Sequence, residues 1–194
     1  MRYAGKFLKA KGLDCVIARN PEVNSKVSMK QSTSAIRYYG AREAHWEGLI
    51  LASDNLVSGE VFSVDGVKYL TQSVVNDPAS GETAWYAVKV NATLVHKRFK
   101  EEADADYNLV GKLEVINPEI PAFGEIITAE LRQQDPGLLK STKYYFQVPK
   151  YDGVSAVCEM DCVVFAGDNY RVDAVDDIGM PGVVRIQVSE DVRA

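Results

Sequence analysis

Histidine and cysteine are scarce: the 194 residues contain only His45 and His96, and Cys15, Cys158 and Cys162. Three cysteines cannot form a closed disulfide framework. A Cys–His nucleophile would have to recruit one of the two histidines, and no local signature marks such a site. Both read as exposed or packed structural histidines. Cys158 and Cys162 stand four apart, whereas zinc ribbons use two C-x2-C pairs and no second pair exists here. They read as packed or partly exposed thiols falling on the same side of the chain. No phosphate-cradling glycine loop is present. Asp104 and Asp106 lack the glycine and final glutamate of a calcium loop. The expectation is a protein with no catalytic residue, no metal and no cofactor.

Long apolar runs are also missing, and none approaches the roughly 18 residues of a membrane helix. The opening MRYAGKFLKAKG is basic, without the apolar core of a secretory signal, so residence in the cytoplasm is expected. Hydrophobic residues make up 46% and charged residues 25%, which excludes a disordered chain.

Valine is plentiful, with 25 copies, alongside 10 Tyr, 14 Gly and 7 Pro. This mixture favours strands and turns over helices. The chain also repeats itself. Gly66–Asn76 aligns without gaps on Gly167–Asp177, matching Gly66 to Gly167, Tyr69 to Tyr170 and Val74 to Val175. Each copy follows an apolar segment, Val61–Val64 or Val163–Phe165, and reads as a hairpin with an Asp-Gly or Gly-Asp turn. The alternation falters at Val74 and Val175, which suggests a bulge or a strand end. Pro78 and Pro181 follow, where the ladders are expected to end. Asn20-Pro21-Glu22-Val23 recurs as Asn117-Pro118-Glu119-Ile120, with Cys15–Ile17 and Leu113–Ile116 as the preceding strands, and Tyr38-Tyr39 recurs as Tyr144-Tyr145. Three matches in one order argue for a duplicated domain.

The expected fold is all-β: two tandem similar small β-barrels or β-sandwiches with little helix. The first spans 1–100 and the second 108–194. The acidic run Phe99–Asp106 serves as connector, and Trp85–Val95 is the closing strand of the first domain, kinked at Asn91. In the closing strand of the second, Val184, Ile186 and Val188 alternate with polar partners. Helix is expected only at Arg2–Lys11, a basic N-terminal arm, and at Ala41–Gly48.

Charge is unevenly spread over a net of −5. Residues 1–42 carry nine Lys or Arg against Asp14 and Glu22, a net of +7, so the remainder is −12. Such a split suits a face that meets an acidic surface. Nucleic-acid readout is not indicated, because the basic segment has no binding motif and the whole chain is acidic. Two polar loops are candidate contact sites, through Ser32, Thr33 and Ser34 and through Asp77 and Ser80.

Gly59–Leu70, followed by Asn76-Asp77-Pro78 and Val88–Ala92, resembles small β-rich neck proteins of tailed bacteriophages, the head-closure and head–tail connector type; Pro181–Ile186 is similar. Two domains depart from the single-domain length usual there. The resemblance implies a non-enzymatic virion protein, assembled in the host cytoplasm. It would form a homo-oligomeric ring that joins a portal or adaptor to tail proteins. Genomic DNA would pass through without sequence readout. Arg2, Tyr3, Lys6, Phe7, Leu8, Lys9 and Lys11 would form its docking arm. The alternatives are another phage part (a tail or baseplate adaptor, or a capsid decoration protein) and an intracellular binding module unrelated to phage.

Overall fold

The computed structural model describes residues 3–32, 42–77, 82–103, 109–135 and 137–193. They form two closed six-stranded antiparallel β-barrels. The chain divides into two compact units, Met1–Asn91 with Asp177–Val183, and Ala92–Asp176 with Val184–Ala194.

The first barrel follows helix α1 (Tyr3–Lys11). Its strands are β1 (Leu13–Ile17), β2 (Val23–Gln31), β3 (His45–Leu51), β4 (Val61–Val64), β5 (Val67–Asp77) and β6 (Glu82–Lys89). They lie in the order β1-β2-β3-β6-β5-β4, and β4 pairs back onto β1. Closure removes the free sheet edges. The interior holds Cys15, Ile17, Val27, Ile50, Phe62, Val64, Tyr69 and Trp85. Phe62 stacks on its cross-strand partner Tyr69 with ring centres 5.5 Å apart, and meets Trp85 edge-on at 5.0 Å. Gly48 makes room for this packing, since a Cβ there would lie 1.8 Å from the Ser28 carbonyl oxygen and 2.8 Å from the Trp85 ring.

The second barrel has β7 (Ala92–Ala103), β8 (Leu109–Ile126), β9 (Tyr144–Pro149), β10 (Cys162–Phe165), β11 (Asp168–Met180) and β12 (Val183–Glu190). Helix α2 (Ala129–Gln134) lies between β8 and β9. Strand order is β7-β8-β9-β12-β11-β10, with β10 paired back onto β7. Numbered within each barrel, both orders are 1-2-3-6-5-4. The duplication seen in the residues is therefore a duplication of topology.

The β4–β5 and β10–β11 hairpins occupy equivalent places. Both two-residue turns have positive φ throughout, Asp65 and Gly66 at 49° and 78°, Ala166 and Gly167 at 53° and 94°. That twist matches the strands it joins. The second turn is thus Ala166-Gly167 and not Gly167-Asp168, because Asp168 already pairs with Phe165. Tyr69 and Tyr170 are both core residues. The expected irregularity before Val74 is a register shift between Thr71 and Ser73. Pro181-Gly182 forms the turn between β11 and β12. Val184, Ile186 and Val188 point into the second core as expected.

Other expectations need correction. Trp85–Val95 is not one strand. β6 ends at Lys89, and β7, beginning at Ala92, belongs to the second barrel. The change of barrel sits at Val90-Asn91, and 99–103 is strand, not connector. Leu113–Ile116 does not precede Asn117-Pro118 as a separate strand, because both lie within β8; Asn20-Pro21 instead lies in the loop before β2. That pair of motifs is a chance match. Arg42–Ala44 makes one 3-10 turn, and His45 onward is strand, so no helix forms over 42–48. Tyr38-Tyr39, Ala41 and Pro78 lie outside the described residues.

Candidate functional site

Strands β7 and β8 outrun the second barrel. β10 pairs with β7 only at Val95–Lys97, and β9 pairs with β8 only at Phe123–Ile126. From Arg98↔Glu114 to Ala103↔Leu109 the two strands pair, among the described residues, with each other alone, as a two-stranded ribbon. Successive side chains alternate between its faces. One face carries Arg98 and Lys100 against Glu114 and Lys112, with the Lys100 ammonium 3.7 Å from Glu114. The other carries Lys97, Phe99 and Glu101 against Val115, Leu113 and Gly111. Phe99 is 43% exposed and Val115 50%. The Phe99 ring lies over Gly111, where a Cβ would come within 1.9 Å of it.

A free two-stranded ribbon is only marginally stable in water. This one is clamped at its root by a polar cluster. Arg98 donates through Nε to Asp161 Oδ1 and through Nη2 to Asp161 Oδ2, both at 2.8 Å, and also binds the carbonyls of Val154 and Ala156. His96, fully buried, donates through Nε2 to Asp161 Oδ2 at 2.8 Å. The Cys158 N–H donates to the same oxygen at 2.8 Å. Asn117 Nδ2 donates to the Ser155 carbonyl and to His96 Nδ1. Because a carbonyl only accepts, that nitrogen is a donor, and His96 therefore carries its proton on Nε2. Burial of Asp161 favours the neutral acid. Hydrogen bonds from Arg98, then His96, then the Cys158 N–H outweigh it and hold the carboxyl well below its usual range.

Register shows what changed between the barrels. Ile17 pairs with Phe62, and His96 pairs with Val163 at the equivalent place. An apolar core residue of the first barrel is thus a histidine in the second, satisfied on both nitrogens. With no exposed surface, it serves as scaffold.

Helix α1 presents a second surface. Its exposed residues include Lys6, Phe7, Lys9 and Lys11, and the helix contains no acid. Leu8, 1% exposed, is instead seated against the barrel, and the Leu8 carbonyl accepts from Gly12 N–H at 2.8 Å. Leu8 therefore anchors the arm and is removed from the docking set. Arg2 and the Tyr3 side chain lie outside the described residues, as do Thr33, Ser34, Ser80 and the Asp77 side chain. Ser32 donates to Glu47 at 2.8 Å, which ties it into the sheet.

The remaining groups offer little chemistry. Cys15 and Cys162 are buried and Cys158 exposed, so the last two do not share a side. The turn at Glu159-Met160 separates them. Burial pushes the Cys15 thiol up to about 11, which keeps it protonated. Among the described residues no cluster of three or more His, Cys, Asp or Glu side chains is placed to hold a metal ion. A cavity of about 250 Å³ is lined by Asp135, Leu138, Tyr145, Asp176, Arg185 and Gln187. Its charges are satisfied internally, with Arg185 2.8 Å from Asp176. Burial pushes the Tyr145 phenol up to about 12 against the opposing pull of Arg185.

The ribbon escaped sequence reasoning because an exposed hairpin carries the same charged residues as a linker. The alternation Lys97-Phe99-Glu101 was its available signal. No family model matches the chain, and no curated protein matches it.

Proposed function

We propose that this protein is a non-enzymatic assembly subunit, a self-associating structural component of a tailed-phage neck that forms a ring between head or portal and tail. The observation that carries the assembly part is the β7–β8 ribbon, a two-stranded extension with Phe99 and Val115 exposed and no further strand beside it among the described residues. Such edges and apolar faces invite association with another chain. The basic surface of α1 offers charge for orienting a partner, and contacts of this kind mainly set encounter rate and register. The phage neck assignment is supported by the sequence resemblance over Gly59–Leu70 and Pro181–Ile186. A net charge of −5 suits a channel through which DNA slides without being gripped.

Native mass spectrometry and negative-stain imaging of the purified full chain test this. A closed ring of many copies, alone or on addition of a portal, is the expected result. A protein that stays monomeric with a portal present and binds a small ligand would overturn it.

A further inference from the structure

We infer that the Phe99 face of the β7–β8 ribbon docks against the same face of a second copy of this chain, about a twofold axis lying between the two Phe99 rings. The face is self-complementary. Along β7 it reads Lys97, Phe99, Glu101, with opposite charges two residues to either side of the aromatic ring. When two such strands face each other antiparallel, Phe99 meets Phe99, and Lys97 of each copy meets Glu101 of the other. This is the reciprocal pairing that an isologous contact requires. Neither charge forms an ion pair among the described residues. Along β8 the same operation sets Leu113 against Leu113, and Val115 against the Phe99 ring where it covers Gly111, apolar surface against apolar surface. The opposite face lacks this symmetry: Lys100 pairs across the ladder with Lys112, and Arg98 is committed to Asp161.

Size sets the strength. Seven residues at about 3.4 Å each and two strands give a face of roughly 240 Å². A stable interface takes about 800 Å² per partner, so this contact belongs with weak, transient interfaces. It goes beyond the ring proposed above. Ring neighbours meet head-to-tail, whereas this contact is isologous and joins subunits, or whole rings, in pairs.

Charge reversal tests the contact on the full chain, read by sedimentation equilibrium from about 5 to 500 µM. Wild type is expected to self-associate in pairs. Lys97→Glu and Glu101→Lys each place like charges together and should weaken pairing at least about tenfold. The double variant restores both pairs and should return to wild-type affinity, and an equimolar mixture of the single variants should form a heterodimer. Circular dichroism checks that each variant remains folded. If rings form, the single reversals separate paired rings and leave each ring intact, so failure of this contact and failure of the ring are distinguishable. A wild type with no paired species, or a double variant as weak as the singles, would overturn the inference.

Discussion

Asp161 gathers four hydrogen bonds on one carboxylate, so the two substitutions Asp161→Ala and Asp161→Asn separate its roles. Alanine removes every acceptor. The His96 Nε2–H is fully buried and the Cys158 N–H partly so; each then lacks a partner, at about 1–3 kcal/mol apiece. The Arg98 side chain is about a third exposed and can rehydrate, so it adds less. The expected loss is about 3–5 kcal/mol, the usual range for breaking a buried charged cluster by removing one member. Asparagine can turn its carbonyl oxygen to the Oδ2 position, where His96, the Cys158 N–H and Arg98 Nη2 converge. It then sacrifices only the Arg98 Nε bond and the charge, and should cost about 2 kcal/mol. Urea denaturation followed by far-UV circular dichroism measures both. Trp46 and Trp85 both lie in the first barrel, so tryptophan fluorescence reports that barrel as an internal control. The carboxyl is held below its ordinary range in the fold, so its contribution is complete above about pH 4 and lost as pH falls below that. Wild type should therefore lose stability below pH 4 more steeply than Asp161→Asn. A loss below about 1 kcal/mol for alanine, or equal losses for the two variants, would refute the assignment of this cluster as the clamp.

Three further substitutions probe the barrels, each checked by thermal and urea unfolding. The Thr71 hydroxyl is buried without a hydrogen-bond partner among the described residues, so Thr71→Val should stabilise by about 1 kcal/mol. Gly48→Ala would drive a Cβ into the backbone carbonyl of Ser28, which cannot rotate away, and should cost about 3 kcal/mol. Ala166 holds a φ of 53° in the β10–β11 turn, where an Asn-Gly pair is preferred, so Ala166→Asn should stabilise by about 1 kcal/mol.

The duplicated hairpin was legible because its constraints are local. A two-residue turn that needs positive φ, an apolar strand before it and a tyrosine three residues after the glycine all survive in both copies. The Asn-Pro match misled for the same reason: two short strings can agree when one sits in a loop and the other inside a strand. The clamp was invisible. His96, Arg98, Asn117 and Asp161 span 66 residues and no motif links them; only the return of β10 onto β7 brings them together. Leu8 and Phe7 were equivalent in the sequence, and only docking of α1 buries the first and exposes the second.

Alternating apolar residues and turn-forming glycines are properties of neighbours along the chain. By themselves they determined that this protein is built of strands, that it holds two similar units and that Tyr69 and Tyr170 share a role. Where one barrel ends and the next begins depends on which strand closes which ladder. Val88 and Leu94 look alike in composition, yet Val88 pairs with His45 and Leu70 while Leu94 pairs with Ile120. Likewise Phe99-Lys100-Glu101-Glu102 has the polarity of a linker whether or not it pairs. Only the ladder to Val110–Leu113 makes it a ribbon: the alternation around Phe99 permits a strand, and pairing with the next segment realises it.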